Sequence, residues 1–259
     1  FITTLHGTDI TLLGKDPSYL PAITFAINQS DAVTAVSESL KKETYDHFKI
    51  IRNIEVIHNF IQLELYEQPL QDCHKKVYAP HGEKILTHIS NFRKVKRVED
   101  VIKIFDKVRK QIPSKLLMVG DGPERENCEL LAEQLGASED IRFVGKVNTP
   151  EKVLCISDLF ILPSESESFG LSALEAMASK VPVISSNTGG LPEVNLHNIT
   201  GMLSNVGDIY DMAKNCVTIL KDDEKREAMG KNAFEQAKKF GIEKILPQYE
   251  RLYDRVRAI

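Results

Sequence analysis

The sequence predicts an α/β protein built on parallel sheet with helices on both faces. Three observations carry that expectation. Short apolar runs alternate with longer amphipathic runs along almost the whole chain, the pattern of strands buried on both sides by crossover helices. Polar and glycine-containing strings follow most of the apolar runs, where the ligand crevice of such sheets lies. From Asn59 to Gly82 the pattern weakens into a polar stretch, which splits the alternation into a short first block and a longer second one.

In the first block, residues 2–5 read as a strand running into the polar turn His6-Gly7-Thr8-Asp9. Pro17 opens a helical pattern that lasts to about Gln29. Residues 32–36 are the next strand, and Ser37 is placed to cap a helix beginning at Glu38. Residues 54–57 are a third strand, which ends near Asn59. The second block predicts strands at 84–89, 116–119, 141–144, 159–162, 181–185 and 201–203. Helices are expected between them at 98–110, 123–135, 171–178 and 208–220. The tail from Asp222 reads as two helices broken at Gly241.

The expected division is residues 1–59 as part of one Rossmann-like domain, 60–241 as a second, and 242–259 as a C-terminal helix packing back on the first. The chain opens on Phe1-Ile2-Thr3, within a strand and without an initiator Met, so the first domain is expected to be truncated.

Composition narrows the function. The 259 residues are 42% hydrophobic and 27% charged, with a net charge of -4, and a nucleic-acid partner would call for a basic face instead. An anionic small ligand stays open, because a local cluster of cations outweighs the global sign. No apolar run reaches the ~18 residues of a membrane helix, and no secretory signal is visible. The four cysteines, Cys73, Cys128, Cys155 and Cys216, form no CxxC pair. They are expected to be reduced thiols in a cytoplasmic protein.

The most informative string runs from Pro163 through Glu167-Ser168-Phe169-Gly170-Leu171-Ser172 to Glu175-Ala176-Met177. It leaves a strand and enters a helix, so backbone N–H groups of Phe169, Gly170, Leu171 and Ser172 stand at a helix start. That terminus suits a diphosphate. Glu167 and Glu175 would repel a diphosphate unless they face hydroxyl groups; the alternative is two ordinary acids favoured by the helix dipole. The second cluster, Arg93-Lys94-Val95-Lys96-Arg97, is either a solvated charge run or, from its place at a strand end, an anion grip in which Arg93 holds phosphate bidentately and Lys96 adds a point charge. Gly120-Asp121-Gly122 is a tight turn or a ligand contact.

The spacing Glu167-x7-Glu175, set in Glu-Ser-Phe-Gly-Leu-x-x-Leu-Glu-Ala-Met, resembles the signature of the GT-B glycosyltransferases of family 4, which act with retention. Further strings follow in that family's order: Gly120-Asp121-Gly122-Pro123, Phe143-Val144-Gly145, Pro182-Val183, Gly189-Gly190-Leu191-Pro192-Glu193 and Thr200-Gly201. The resemblance implies a GT-B fold of two Rossmann-like domains. It implies that Glu167 meets the hydroxyls of the transferred sugar and Glu175 holds the ribose. Arg93 and Lys96 would neutralise the diphosphate, Gly145 and Lys146 lie near the nucleobase, and His6 lines the cleft against the donor sugar. No metal or other cofactor is implied.

The strings at 3–11, 31–37, 59–60 and 90–97 are similar to a branch of the family that moves N-acetylglucosamine from UDP to the hydroxyl of L-malate, the first step of bacillithiol biosynthesis. The partners implied are therefore UDP-N-acetylglucosamine and a small dicarboxylate, with Thr4 and His6 as acceptor contacts and a homodimer left open. Lys180 departs from the family, which has glycine there. Other readings are a family member with a lipid or glycan acceptor, a GT-B epimerase, or a UDP-sugar-binding module without activity. A glycoside hydrolase reading fails, because Glu167 adjoins the phosphate cradle and no second carboxylate is placed opposite it.

Overall fold

The computed structural model describes residues 1–11, 16–67 and 73–258, and contains two parallel sheets. The expected polar stretch 59–82 thus falls partly outside the described residues, at 68–72.

The first sheet has three strands in the order β1 (Ile2–Leu5), β2 (Ala32–Ala35), β3 (Ile54–Val56). The short helices α1 (Thr8–Thr11) and α2 (Leu20–Gln29) follow β1, and α3 (Glu38–His47) follows β2. Ser37 caps α3, its hydroxyl accepting from the Leu40 N–H at 3.0 Å, as the sequence predicts. Two single-turn helices, α4 (Glu64–Glu67) and α5 (Lys75–Tyr78), lie in the linking stretch.

The second sheet has six strands: β4 (Lys84–Asn91), β5 (Ser114–Asp121), β6 (Ile141–Gly145), β7 (Leu159–Leu162), β8 (Val183–Ser186) and β9 (Gly201–Ser204). Their order is β6-β5-β4-β7-β8-β9. The chain winds outward one way from β4, then returns to β7 and winds the other way. The β4/β7 boundary is therefore the switch point at which such sheets bind ligands. The helices α6 (Val98–Arg109), α7 (Arg125–Gln134), α8 (Glu151–Leu154), α9 (Leu171–Ala178), α10 (Leu191–Val194) and α11 (Ile209–Leu220) fill the connections.

Both faces are buried. Val101, Ile104, Phe105 and Val108 of α6 share one core with Leu116 and Met118 of β5 and with Cys216 and Ile219 of α11. The other face joins Phe160 and Leu162 of β7 to Ala173, Leu174 and Met177 of α9, and continues into Leu5, Val33 and Ala35 of the first sheet. The tail forms α12 (Asp223–Ala237) and α13 (Ile242–Arg257), separated by a 3-10 turn that ends at Gly241. Ile245 and Leu252 of α13 pack with Ile57, Ile2 and Ala32, and Arg255 pairs with Glu55. The last helix thus lies on the first sheet.

Several element ends shift from their expected positions and short helices appear in the connections; two of the differences have a clear cause. Strand β4 runs to Asn91, pairing with Asp121 of β5, because the β4/β5 ladder outlasts the apolar run that marks it in sequence. The second is a correction to the cysteine reading: Cys73 and Cys155, 82 residues apart, are joined by a disulfide, while Cys128 and Cys216 are free and buried. Sequence spacing reports only neighbours along the chain; the pair meets because α5 and α8 both pack over the same sheet face, around Leu117 and Ile156. Among the described residues no helix is long and apolar enough to cross a membrane.

Candidate functional site

The loops that leave β1, β3, β4 and β7 all open on one side, at the carboxyl ends of the strands. They enclose a cleft of about 300 Å³ lined by His6, Thr8, Asn59, Lys96, Glu167 and residues 168–172. It therefore lies between the two sheets, one wall from each.

Two loops build the charged floor. After β4, Phe92 is buried and pins the chain, and a 3-10 turn at Lys94–Lys96 swings Lys96 inward. After β7, the loop carries Glu167. The Lys96 ammonium donates to the Glu167 carboxylate at 2.5 Å, with only 21% and 11% of the two side chains exposed. The buried Ser164 hydroxyl donates to the same oxygen at 3.1 Å. The Glu165 N–H donates to the Val95 carbonyl at 2.8 Å, so the backbones of both loops are tied as well. A paired charge so little exposed is held in one geometry, unlike a solvated surface pair.

The four cations of the cluster part company. Lys96 faces the cleft, and Arg97 is held against Asp100 at 2.6 Å. Arg93 and Lys94 are exposed and lie outside the residues that line the cleft. A run of charges in sequence carries no sign of which members turn inward.

The same β7 loop ends at Gly170, the residue before α9. The first N–H groups to return to the helix are those of Ala173 and Leu174, both to the Gly170 carbonyl. The N–H groups of Gly170, Leu171 and Ser172 make no hydrogen bond among the described residues. They provide donors and the positive end of the helix dipole at the cleft wall. Phe169 itself is buried. Its ring packs against His58 and, edge-on at 5.5 Å, against Phe240, so the residue anchors the turn and offers the ligand side only its backbone.

A second recess of about 340 Å³ adjoins α9 one turn further on, lined by Ser90, Gly120, Lys146, Val147, Pro150 and Glu175 among others. Burial pushes the Glu175 carboxyl up to about 7, and the charge of Glu151 adds to it. Ser90 is oriented from below. The buried His88 ring is neutral, its pKa pushed down to about 4 by burial. Its Nδ1 lies 2.8 Å from the Ile161 carbonyl and must donate there, so Nε2 accepts from the Ser90 hydroxyl at 2.7 Å. Gly145 and Lys146 stand at the end of β6, with Lys146 exposed on this recess. In the Gly120-Asp121-Gly122 string, Gly120 lines the recess. Gly122 sits against the Phe92 backbone, with no room for a side chain.

The structure thus gathers His6, Lys96, Glu167 and residues 169–172 in one cleft, and Gly120, Lys146 and Glu175 in the other. Thr4 lies within β1, its hydroxyl accepting from that of Thr34 at 3.0 Å, outside the cleft lining. Asn59, Ser164, Ser168 and the His88–Ser90 pair join the site without having been singled out as site residues in sequence. Asn59 and Ser90 had a usable signal, since each follows an apolar run that reads as a strand in sequence; the buried His88 had none.

Residues 71–236 match the family described as glycosyl transferases group 1, and residues 1–65 match glycosyltransferase family 4. A Bacillus anthracis protein, N-acetyl-alpha-D-glucosaminyl L-malate synthase, is 46% identical over 254 residues; the match covers 97% of this chain and 67% of that protein. Among solved structures, sucrose-phosphate synthase from Thermosynechococcus elongatus superposes with a TM-score of 0.89 at 24% identity, over 99% of this chain and 68% of that one. Anabaena HepE in complex with UDP gives 0.88 at 21% identity, over 98% of this chain and 72% of that one.

Proposed function

This chain belongs to the group 1 glycosyltransferases of the GT-B fold, and from that premise we propose that it serves transfer of N-acetylglucosamine from UDP to the hydroxyl of L-malate, with retention at the sugar carbon. The observation that supports this most is the 46% identity to the Bacillus anthracis enzyme along nearly the whole chain. The geometry is consistent with it. The unclaimed N–H groups of Gly170, Leu171 and Ser172 and the Lys96 ammonium face one cleft, where a pyrophosphate would meet both. Glu167 stands beside them to accept from sugar hydroxyls, and Glu175 lies one helical turn deeper, on the side given to the nucleoside. Gly145 and Lys146 border the base.

In this reading the bond between the sugar C1 and the β-phosphate oxygen breaks, and its electron pair leaves with UDP. The acceptor hydroxyl oxygen bonds to C1 from the same face, and its proton passes to the departing phosphate oxygen. Lys96 and the α9 amides stabilise the growing negative charge; such donors are each worth on the order of 10²–10³ in rate. Arg93, exposed on the same loop as Lys96 but outside the cleft lining, has a role at the diphosphate only if its side chain swings inward when the ligand binds, and His6 meets the sugar and acceptor from the first sheet. The positive charge comes from side chains and amides, so no metal enters. The acceptor is a small dianion.

The test is UDP release from UDP-N-acetylglucosamine with and without L-malate. The reading expects malate-dependent release and a glycosidic product. Release that ignores malate but responds to another hydroxyl compound would keep the family and overturn the acceptor.

A further inference from the structure

Glu193 of α10 belongs to the second sheet's half of the molecule, yet its carboxylate serves a helix of the first. It accepts from the Glu38 N–H at 3.0 Å and from the Ser39 N–H at 2.9 Å, the first two residues of α3. Ser37 satisfies the third, Leu40. A negative group at a helix start is favoured by both the orphan donors and the dipole, and here the cap comes from 154 residues away. His58, which follows β3, places Nε2 at 3.4 Å from the same carboxylate. Burial alone would raise the Glu193 carboxyl, but the hydrogen bonds from His58, Ser39 and Glu38 hold it below the usual carboxylate range. It is therefore a firmly ionised cap.

Both ends of this contact lead to the cleft. On one side α10 is preceded by Gly189-Gly190, whose backbone lies directly under the Glu167 loop. The Gly190 N–H donates to the Glu167 carbonyl at 2.9 Å, and a methyl group on either glycine would collide with the carbonyl of Glu167 or Ser168. On the other side α3 follows β2, which pairs with β1 along its length, and β1 delivers His6 and Gly7. There a methyl group on Gly7 would collide with the Ser168 hydroxyl. The contacts close a ring: Glu193, α3, β2, β1, Gly7, Ser168, Gly190 and back to Glu193.

We propose that Glu193 is a positioning residue, a clamp between the two sheets that fixes His6 and Gly7 over the Glu167 loop by capping α3. Glu193 touches no substrate in this account; it sets the separation of the two cleft walls. The proposal rests on the transferase reading for its kinetic consequence and on geometry alone for its structural one.

Three variants, Glu193→Ala, Glu193→Gln and Glu193→Asp, test it. UDP binds the second sheet's half, so its Kd, measured by titration calorimetry, is expected to stay within about threefold of the parent in all three. Transfer is expected to lose at least tenfold in kcat in Glu193→Ala with the KM for UDP-sugar little changed, and Glu193→Asp, which keeps the charge, recovers part of it. Independently of activity, spin labels at Lys42→Cys on α3 and Lys221→Cys after α11, both exposed, should report a longer or broader distance distribution in Glu193→Ala. An unchanged distribution overturns the clamp. Loss of UDP binding together with transfer also overturns it, reducing Glu193 to a fold residue of the nucleotide half. If the parent transfers to no acceptor, the functional reading fails while the spin-label result still decides the clamp.

Discussion

Replacing Lys96 by Met probes the cleft most directly. The Lys96–Glu167 pair spans 2.5 Å, with side chains 21% and 11% exposed, between the surface pairs worth ~0–1 kcal/mol and the fully buried pairs whose breaking costs ~3–5 kcal/mol. Lys96→Met should therefore destabilise by about 2 kcal/mol, since among the described residues Glu167 then keeps only the Ser164 hydroxyl. For a chain of this size that lowers Tm by roughly 4–8 °C. Glu167→Gln should cost a similar amount, because it strands the ammonium. The double variant removes both charges, so its loss should fall short of the sum by about 1–2 kcal/mol. Turnover should behave differently: Lys96→Met loses ~10²–10³, as for a donor aimed at developing charge, and the double variant recovers none of it. Denaturant melts of the four proteins and UDP-release assays on the same preparations give both numbers. Strictly additive stability losses, or Lys96→Met turning over within about threefold of the parent, would refute the reasoning.

Other outcomes are expected from the same geometry. Glu175, held at about 7 by burial and Glu151, is mostly neutral at pH 6 and mostly ionised at pH 8. If ribose hydroxyls donate to its charged form, UDP affinity rises about tenfold over that span, and calorimetry on Glu175→Gln should show the dependence flattened. The sign for folding is opposite: a carboxyl raised above its unfolded value of 4.5 costs stability as pH rises from there through about 7, so Glu175→Gln should gain on the parent at pH 8 in thermal melts. Lys180 has φ +60°, a strained conformation for a side chain; Lys180→Gly relieves ~1–2 kcal/mol less ~0.5–1 kcal/mol of glycine entropy, for a net gain of roughly 0.5 kcal/mol in denaturant melts. Reducing the Cys73–Cys155 disulfide, which spans 82 residues, with dithiothreitol should lower the unfolding free energy by about 2–4 kcal/mol, and the Cys73→Ser variant should show no further response to the reductant.

Much of the fold was legible because it is carried by local signals. Helix α9 matches its expected span residue for residue, set by Gly170 at one end and the turn at Ser179-Lys180 at the other. Helix α11 begins after Asp208, whose carboxylate caps it. The single-turn helices α5, α8 and α10 were not legible, since four residues do not establish a period. They exist because loop backbone must satisfy its hydrogen bonds while crossing the sheet.

The candidate site divides along the same line. The double-glutamate spacing and the helix start at Gly170 are properties of one continuous segment, and a segment's hydrogen-bonding needs can be read from its own residues. The inward turn of Lys96 rather than Arg93 depends on which direction the 3-10 turn points once Phe92 is buried. Glu193 as the cap of α3, and Cys73 as the partner of Cys155, depend on where separate elements come to rest. The alternation of strands and helices, the strand-end motifs and the family are all written in stretches of neighbouring residues. Which charges face one another across the cleft is set when the chain folds, because that pairing is made between segments whose separation in sequence bears no relation to their distance in space.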